Sequence, residues 1–264
     1  GEMTDLYDRP YQTDYRNSVW NCGILPVYRQ QLYSVYGEYK NTAREFFATV
    51  NLTHNREWYN RIYEQRIENG QIQRVSLPLS NHGSGYTVKS TLSKGFYDLG
   101  LKTSLLALLN ISKAEQISGG QRLPYQYRLM RLEPKVIWTP NRHWETSYQT
   151  DIRYGGSKIG ERTRLAPLWN VTQQVQLSYI FSPIEASLSV DHYHNDVNED
   201  QSVNAVFADF SVSWKSGRWQ ITATATNLFD KRTYAYTRYA SLESYTSWVR
   251  IRPREFLVAI RYRL

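Results

Sequence analysis

From Glu255 to Leu264 apolar and polar positions alternate without a break. Phe256, Val258, Ile260, Tyr262 and Leu264 fall on one face, and Leu257, Ala259, Arg261 and Arg263 on the other. A period of two is the signature of a β-strand, because successive side chains leave opposite faces of the pleat. The same alternation recurs at 27–39, 46–52, 86–92, 99–111, 130–138, 144–154, 171–181, 186–190, 206–214 and 219–225. In the segment at 219–225, Trp219, Ile221, Ala223 and Ala225 oppose Gln220, Thr222, Thr224 and Thr226. Leu106 and Leu108 blur the pattern at 99–111 and leave a short helix open there. A less regular strand is expected somewhere in 233–250, which makes about 12 strands in all.

The connections carry a second signal. Tight turns are expected at 40–42, 94–96, 139–141, 182–184, 215–217 and 252–253, where Gly, Pro, Asn or Ser supply turn conformations. Between them fall longer polar linkers at 55–83, 112–124, 155–166, 195–202 and 227–247. Short and long connections therefore alternate, as they do when hairpins of an up-and-down barrel meet at two different rims. Phe96, Tyr97, Trp138, Trp144, Phe181, Trp214, Trp219 and Phe256 gather beside the short turns, where one interfacial aromatic girdle belongs. Inside the first long linker, alternating segments flank Glu68-Asn69-Gly70, and Asn-Gly is a strong hairpin signal, so a hairpin is expected to rise beyond the membrane. The fold class expected is all-β: an antiparallel up-and-down transmembrane β-barrel over 27–264, preceded by an irregular stretch at 1–26.

Composition is compatible with this. Mean hydropathy is −0.60 and no apolar run approaches a membrane-spanning helix, but half of each barrel strand faces a polar lumen. The chain holds 22 Tyr and 8 Trp, residues with an apolar body and a polar tip. Net charge is +8, spread along the chain with no dense basic tract, which argues against a nucleic-acid partner. Cys22 is the single cysteine, so no intrachain disulfide can form, and an inert thiol is expected. Gly1-Glu2-Met3 is too polar and short for a signal peptide, which suggests a mature chain or a fragment.

Asn227-Leu228-Phe229-Asp230-Lys231, the tyrosine-rich stretch from Tyr234 to Tyr245, and the ending Arg252-Pro253-Arg254-Glu255-Phe256 resemble the C-terminal end of TonB-dependent outer-membrane receptors, particularly the nutrient-uptake type of Bacteroidetes. The resemblance is sharpest over the final forty residues and diffuse back to Val27. It implies a bacterial outer-membrane location and a 22-stranded barrel around a plug, energised through TonB. Its implied partners are outer-membrane lipid and lipopolysaccharide, a nutrient ligand, TonB through a plug domain, and a surface lipoprotein. The chain departs from the family in having neither plug nor TonB box, in its strand number, and in ending on Leu264 rather than an aromatic. The simplest expectation is the C-terminal half of a larger receptor.

Candidate chemistry is sparse. His192 and His194 share a strand face, and with Asp196 they form a possible metal set, against which stands a polar strand end running into a loop. No catalytic or phosphate-binding motif is present, no cofactor is implied, and an enzyme is not expected. Asn51, Asn110 and Asn170 begin Asn-x-Ser/Thr triplets inside predicted strands. The better candidate for ligand binding is Tyr234, Tyr236, Tyr239, Tyr245 and Trp248, with Arg232 and Arg238, because aromatic rings stack on sugars and Arg binds carboxylates. Against it stands an outer girdle and loop core. Two rivals to the receptor remain. One is a complete 12-stranded outer-membrane channel or phospholipase-type barrel; Ser189 and His192 differ in parity, which weighs against the enzyme. The other is a soluble tyrosine-rich β protein that binds glycans.

Overall fold

The computed structural model describes residues 7–15, 17–21, 23, 25–68, 71–160, 163–197, 200–240 and 243–263. Gly1-Glu2-Met3, Cys22, Asn69-Gly70 and Leu264 lie outside the described residues. Alternation becomes strand along nearly the whole chain. The strands are β1 (Tyr11–Gln12), β2 (Asn17–Trp20), β3 (Tyr28–Asn41), β4 (Phe46–Tyr59), β5 (Ile62–Glu68), β6 (Gln71–Leu77), β7 (Asn81–Phe96), β8 (Leu101–Ser118) and β9 (Gln121–Asn141). They continue with β10 (Trp144–Ile159), β11 (Thr163–Phe181), β12 (Ile184–Asp196), β13 (Ser202–Ser216), β14 (Trp219–Thr226), β15 (Thr233–Ala240), β16 (Glu243–Arg250) and β17 (Glu255–Tyr262). The described residues include no α-helix, and a 3-10 turn at Tyr97–Leu99 joins β7 to β8.

Eleven strands run side by side as β3-β4-β7-β8-β9-β10-β11-β12-β13-β14-β17, each antiparallel to its neighbours. Their register keeps two chemically distinct faces. One cross-strand row reads Val35, Leu52, Val88, Leu109, Met130, Tyr154, Trp169. Another reads Leu177, Leu188, Phe210, Ala225, Phe256. One residue along, the opposite face reads Ser34, Thr53, Thr87, Asn110 and, further round, Ser178, Ser187, Ser211, Thr224. Ile221 lies with Trp214 and Ile260 on the apolar face, as its parity predicts. The short helix left open at 99–111 does not form. Leu106 pairs with Thr91 and Glu133, and Leu108 with Lys89 and Arg131, so both belong to the polar face of a continuous strand.

The apolar face has no protein cover among the described residues. Val35, Leu52, Leu105, Phe210, Val258 and Ile260 are all exposed, and buried hydrophobic residues are few: Ile62, Val75, Ile117, Leu168, Ala205, Ala208 and Ala235. The chain exposes 18125 Å², against about 12,000 Å² expected from size scaling for a compact monomer of its 31.1 kDa. An open sheet with one apolar and one polar face accounts for the excess.

Several sequence expectations are corrected. The segment at 233–250 is not the eleventh of twelve strands in the sheet: β15 and β16 form a separate two-stranded sheet, and β14 pairs directly with β17. The sheet consequently has eleven staves, and Arg252-Pro253 closes a long connection instead of making a short turn. The expected long linkers are largely strand. β8 and β9 continue to a two-residue turn, Gly119-Gly120, whose φ values of 58° and 75° suit glycine in a tight hairpin. Short turns shift to 97–100, 142–143 and 217–218 because the ladders extend past the last apolar residue. The stretch at 1–26 contributes β1 and β2, and β2 adds in parallel to β6. β5 and β6 pair as the predicted hairpin. Glu64 on β5, almost buried, bridges to Ile117 and accepts the Gly120 amide at 3.2 Å, tying this hairpin to the β8–β9 tip.

Candidate functional site

The Asn227-Leu228-Phe229-Asp230-Lys231 motif is a clamp. Asn227 is 7% exposed and sits at φ 50°, a left-handed conformation that asparagine tolerates better than most residues. Its amide N–H donates to Asp209 Oδ1 at 2.7 Å. Its side-chain Nδ2 donates to the carbonyls of Lys231 at 2.8 Å and Arg252 at 2.9 Å, and its Oδ1 accepts the Lys231 amide at 3.0 Å. Asp230, also left-handed at φ 51°, accepts the Arg254 amide at 2.9 Å and the Arg232 guanidinium at 2.9 Å. The Arg254 amide first, and then Arg232, hold the Asp230 carboxyl below its usual range. One asparagine and one aspartate thus join the end of β14, the start of β15 and the approach to β17.

The clamp fixes where the β15–β16 hairpin emerges, and the hairpin folds against the polar-face end of β12 and β13. Tyr234 lies edge-on to Tyr193 at 5.3 Å and to Phe207 at 6.4 Å between ring centroids, with Tyr236 at 6.0 Å. Tyr193 and Phe207 meet each other at 5.8 Å. Asn195 Nδ2 donates to Tyr234 Oη at 2.9 Å, and Ala235 is fully buried. Burial pushes the Tyr234 hydroxyl up from its usual pKa. The result is a four-ring cluster, of a kind that can stack on sugar rings or cover other planar surfaces.

The sequence candidates separate accordingly. Tyr234 and Tyr236 enter the cluster. Trp248 stays 70% exposed on β16, opposite Ala235. Arg232 is engaged by Asp230 and is not in the cluster. Arg238 pairs with Tyr245 along the hairpin and Tyr239 with Ser244, but the side chains of Arg238, Tyr239 and Tyr245 lie outside the described residues. Tyr193, Asn195 and Phe207 are not picked out by the sequence patterns above. A signal for two of them exists in the chain: Tyr193 and Phe207 are aromatic at positions whose strand neighbours on the same face are Asp191 and Asp209.

The other candidates resolve differently. His194 Nε2 contacts Asp196 Oδ1 at 3.2 Å, while His192 Nδ1 meets Gln173 Oε1 at 3.2 Å and Asp196 Oδ2 accepts the Trp169 amide at 2.8 Å. Among the described residues there is no group of three metal ligands. Ser189 and His192 stand on opposite faces, opposite Gln176 and Gln173. Asn51, Asn110 and Asn170 all lie within strands.

The polar face carries a charged network. Arg131 forms a two-pronged contact with Asp151, at 3.0 and 2.9 Å, and also meets Glu133 at 2.6 Å. Arg153 shares Asp151 at 2.6 Å. The apolar face instead carries two rows of rings. Beside the short turns, Tyr39 meets Phe46 at 5.8 Å, Trp144 meets Tyr179 at 4.6 Å and Trp219 meets Tyr262 at 4.8 Å. Towards the far rim, His54 lies between Tyr33 and Tyr86, and Tyr154 meets Trp169 at 4.8 Å. Phe256, expected beside a short turn, is opposite Ala225 and away from that rim. Trp144 and Tyr154 are about ten residues apart on β10, or roughly 33 Å along the strand, and about 25 Å after a barrel-like tilt.

Compared with known protein families, characterised proteins and solved structures, the chain matches none.

Proposed function

We propose that this chain forms part of the barrel of a TonB-dependent outer-membrane receptor that imports a nutrient ligand. The observation that carries the proposal is the eleven-strand sheet, with an apolar face bounded by two aromatic rows and two edge strands unpaired among the described residues. Two rows about 25 Å apart match the hydrocarbon band of an outer membrane and its two interfacial girdles. The polar face, with Arg131, Glu133, Asp151 and Arg153, then lines the lumen. A soluble glycan-binding protein would leave this apolar face facing water, a far larger patch than soluble monomers expose.

The edges argue for a larger barrel. Ten successive antiparallel pairings make β3 and β17 run in the same direction. Joining them directly would create a parallel seam, whereas an odd number of further strands closes the sheet antiparallel throughout. Unpaired edges in hydrocarbon cost several kcal/mol per backbone group, so closure is required. This disfavours a barrel closed by these eleven strands alone; one further strand would give the 12-stranded channel or phospholipase barrel and eleven would give the 22-stranded receptor class, which the motif at Asn227 to Lys231 favours. The clamp at Asn227 and Asp230 gives the motif behind the family resemblance a structural role, since it anchors an outer hairpin whose Tyr234 and Tyr236 cap the lumen as part of a ligand surface.

Membrane fractionation and uptake test the proposal together. The protein should sediment with the outer membrane, require detergent for extraction, and support ligand uptake that stops when the proton-motive force is dissipated. Recovery in the soluble periplasmic fraction overturns the barrel. Uptake that persists without the proton-motive force overturns the energised receptor in favour of a passive pore.

A further inference from the structure

Above the Tyr154–Trp169 pair the apolar face changes character. Register places Lys113 opposite Gln126 and Gln126 opposite Lys158, so the two lysines stand two strands apart in one row. One row closer to the girdle, Arg128 pairs with Ile111 on one side and Gly156 on the other. Lys113 and Arg128 are exposed and Lys158 is half-buried. None of the three makes an ion pair among the described residues. Glu115, two positions beyond Lys113 on this face, is already held by Arg122 at 2.9 Å.

Gly156 makes room between these cations. It lacks a side chain, β10 is bulged against β11 between Gly155 and Ser157, and a Cβ at Gly156 would sit 3.5 Å from Pro167. A recess of about 230 Å³ results, with Gln126, Arg128, Tyr154, Gly156, Lys158 and Pro167 in its wall. Along β9 and β10 the order from the middle of the sheet outward is therefore apolar (Leu132, Ile152), aromatic (Tyr154), then cationic (Arg128, Lys158).

We infer that Arg128, Lys158 and Lys113 form a binding site for the phosphate of a lipid headgroup in the outer leaflet. The inference rests on the membrane placement proposed above. Three cations in two adjacent rows of the apolar face, none with an ion pair among the described residues, match an anion in charge. Tyr154 and Trp169 directly below mark the depth at which headgroups meet acyl chains, which points to a lipid and away from a soluble anion. The Arg128 guanidinium offers two parallel donors to phosphate oxygens, and the lysines act as point charges.

Native mass spectrometry of the full chain, purified in neutral detergent, tests this with phosphatidic acid, phosphatidylcholine and inorganic phosphate as probes. The wild type should retain phosphatidic acid over phosphatidylcholine. Arg128→Gln with Lys158→Gln should lower that retention about 25-fold, taking roughly a factor of five per charge near a membrane surface. Arg128→Lys with Lys158→Arg should restore most of it, and Lys135→Gln, on the polar face, should leave it unchanged. Equal retention by the double Gln variant overturns the site while the barrel stands. Displacement by inorganic phosphate at the lipid's own concentration overturns the lipid assignment in favour of a soluble anion. A wild type found in the soluble fraction and retaining neither lipid overturns the membrane placement itself.

Discussion

Replacing Asn227 by alanine should release the β15–β16 hairpin without dissolving the sheet. The substitution removes three side-chain hydrogen bonds, two to the carbonyls of Lys231 and Arg252 and one from the Lys231 amide. At about 1 kcal/mol each the loss is about 3 kcal/mol. A further ~1 kcal/mol comes from holding alanine at φ 50°. The Asn227 N–H to Asp209 bond involves backbone and survives. The weakened structure is the latch, so opening should be local, and the combined loss of about 4 kcal/mol raises the open population roughly 700-fold. Hydrogen exchange of β15 and β16 amides in the detergent-solubilised protein measures this directly, with β9 and β10 amides as the internal reference. Asn227→Gly separates the two contributions, because glycine tolerates the backbone conformation and loses only the bonds. Hairpin exchange that changes less than about threefold in both variants would refute the clamp. An equal acceleration in β9 and β10 would show that Asn227 supports the whole sheet instead.

Three other perturbations probe different parts of the structure. Ile260→Lys, opposite Ile221 on the apolar face, should lower assembly by roughly 2–4 kcal/mol, while Ala259→Lys on the other face should be tolerated; heat-modifiable gel mobility reads both, and equal yields would contradict the face assignment. Gly100→Ala should destabilise by at least ~1–2 kcal/mol, because Gly100 lies at φ 60° and an added Cβ would clash with the Thr139 carbonyl, a backbone atom that cannot swing away; an unchanged urea midpoint would count against the turn geometry. Asp230 has its folded pKa depressed by the Arg254 amide and Arg232, so its contribution is present above the unfolded value near about 3.9 and disappears as pH falls through the lower folded value. Peptic cleavage of the hairpin should therefore rise on acidification below about pH 4, and Asp230→Asn should remove that pH dependence; a variant with the wild-type profile would assign the titration elsewhere.

Strand identity and face were legible in the chain because alternation is local. A period of two places Ile221 and Ile260 on one face whatever surrounds them, and the ladder confirms it. Both aromatic rows and the polar face follow from the same parity. What local pattern could not decide was where strands stop and which neighbour each takes. The 112–118 and 121–124 stretches read as linker because they are polar, yet each satisfies the other's backbone groups beyond any apolar boundary. Tyr234 to Ala240 has the residues of a stave, but the left-handed turns at Asn227 and Asp230 lift it off the sheet and let β17 take its place beside β14. The aromatic cluster depends on the same displacement. Tyr193 and Phe207 lie on staves, Tyr234 lies on the hairpin, and only long-range packing brings the three rings together. The cationic recess near Arg128 likewise depends on a register across β8, β9 and β10 and a bulge at Gly155, which are set by pairing energies between distant segments. Periodicity is a property of each segment, whereas register, bulges and neighbours are properties of pairs, and the candidate site is built from pairs.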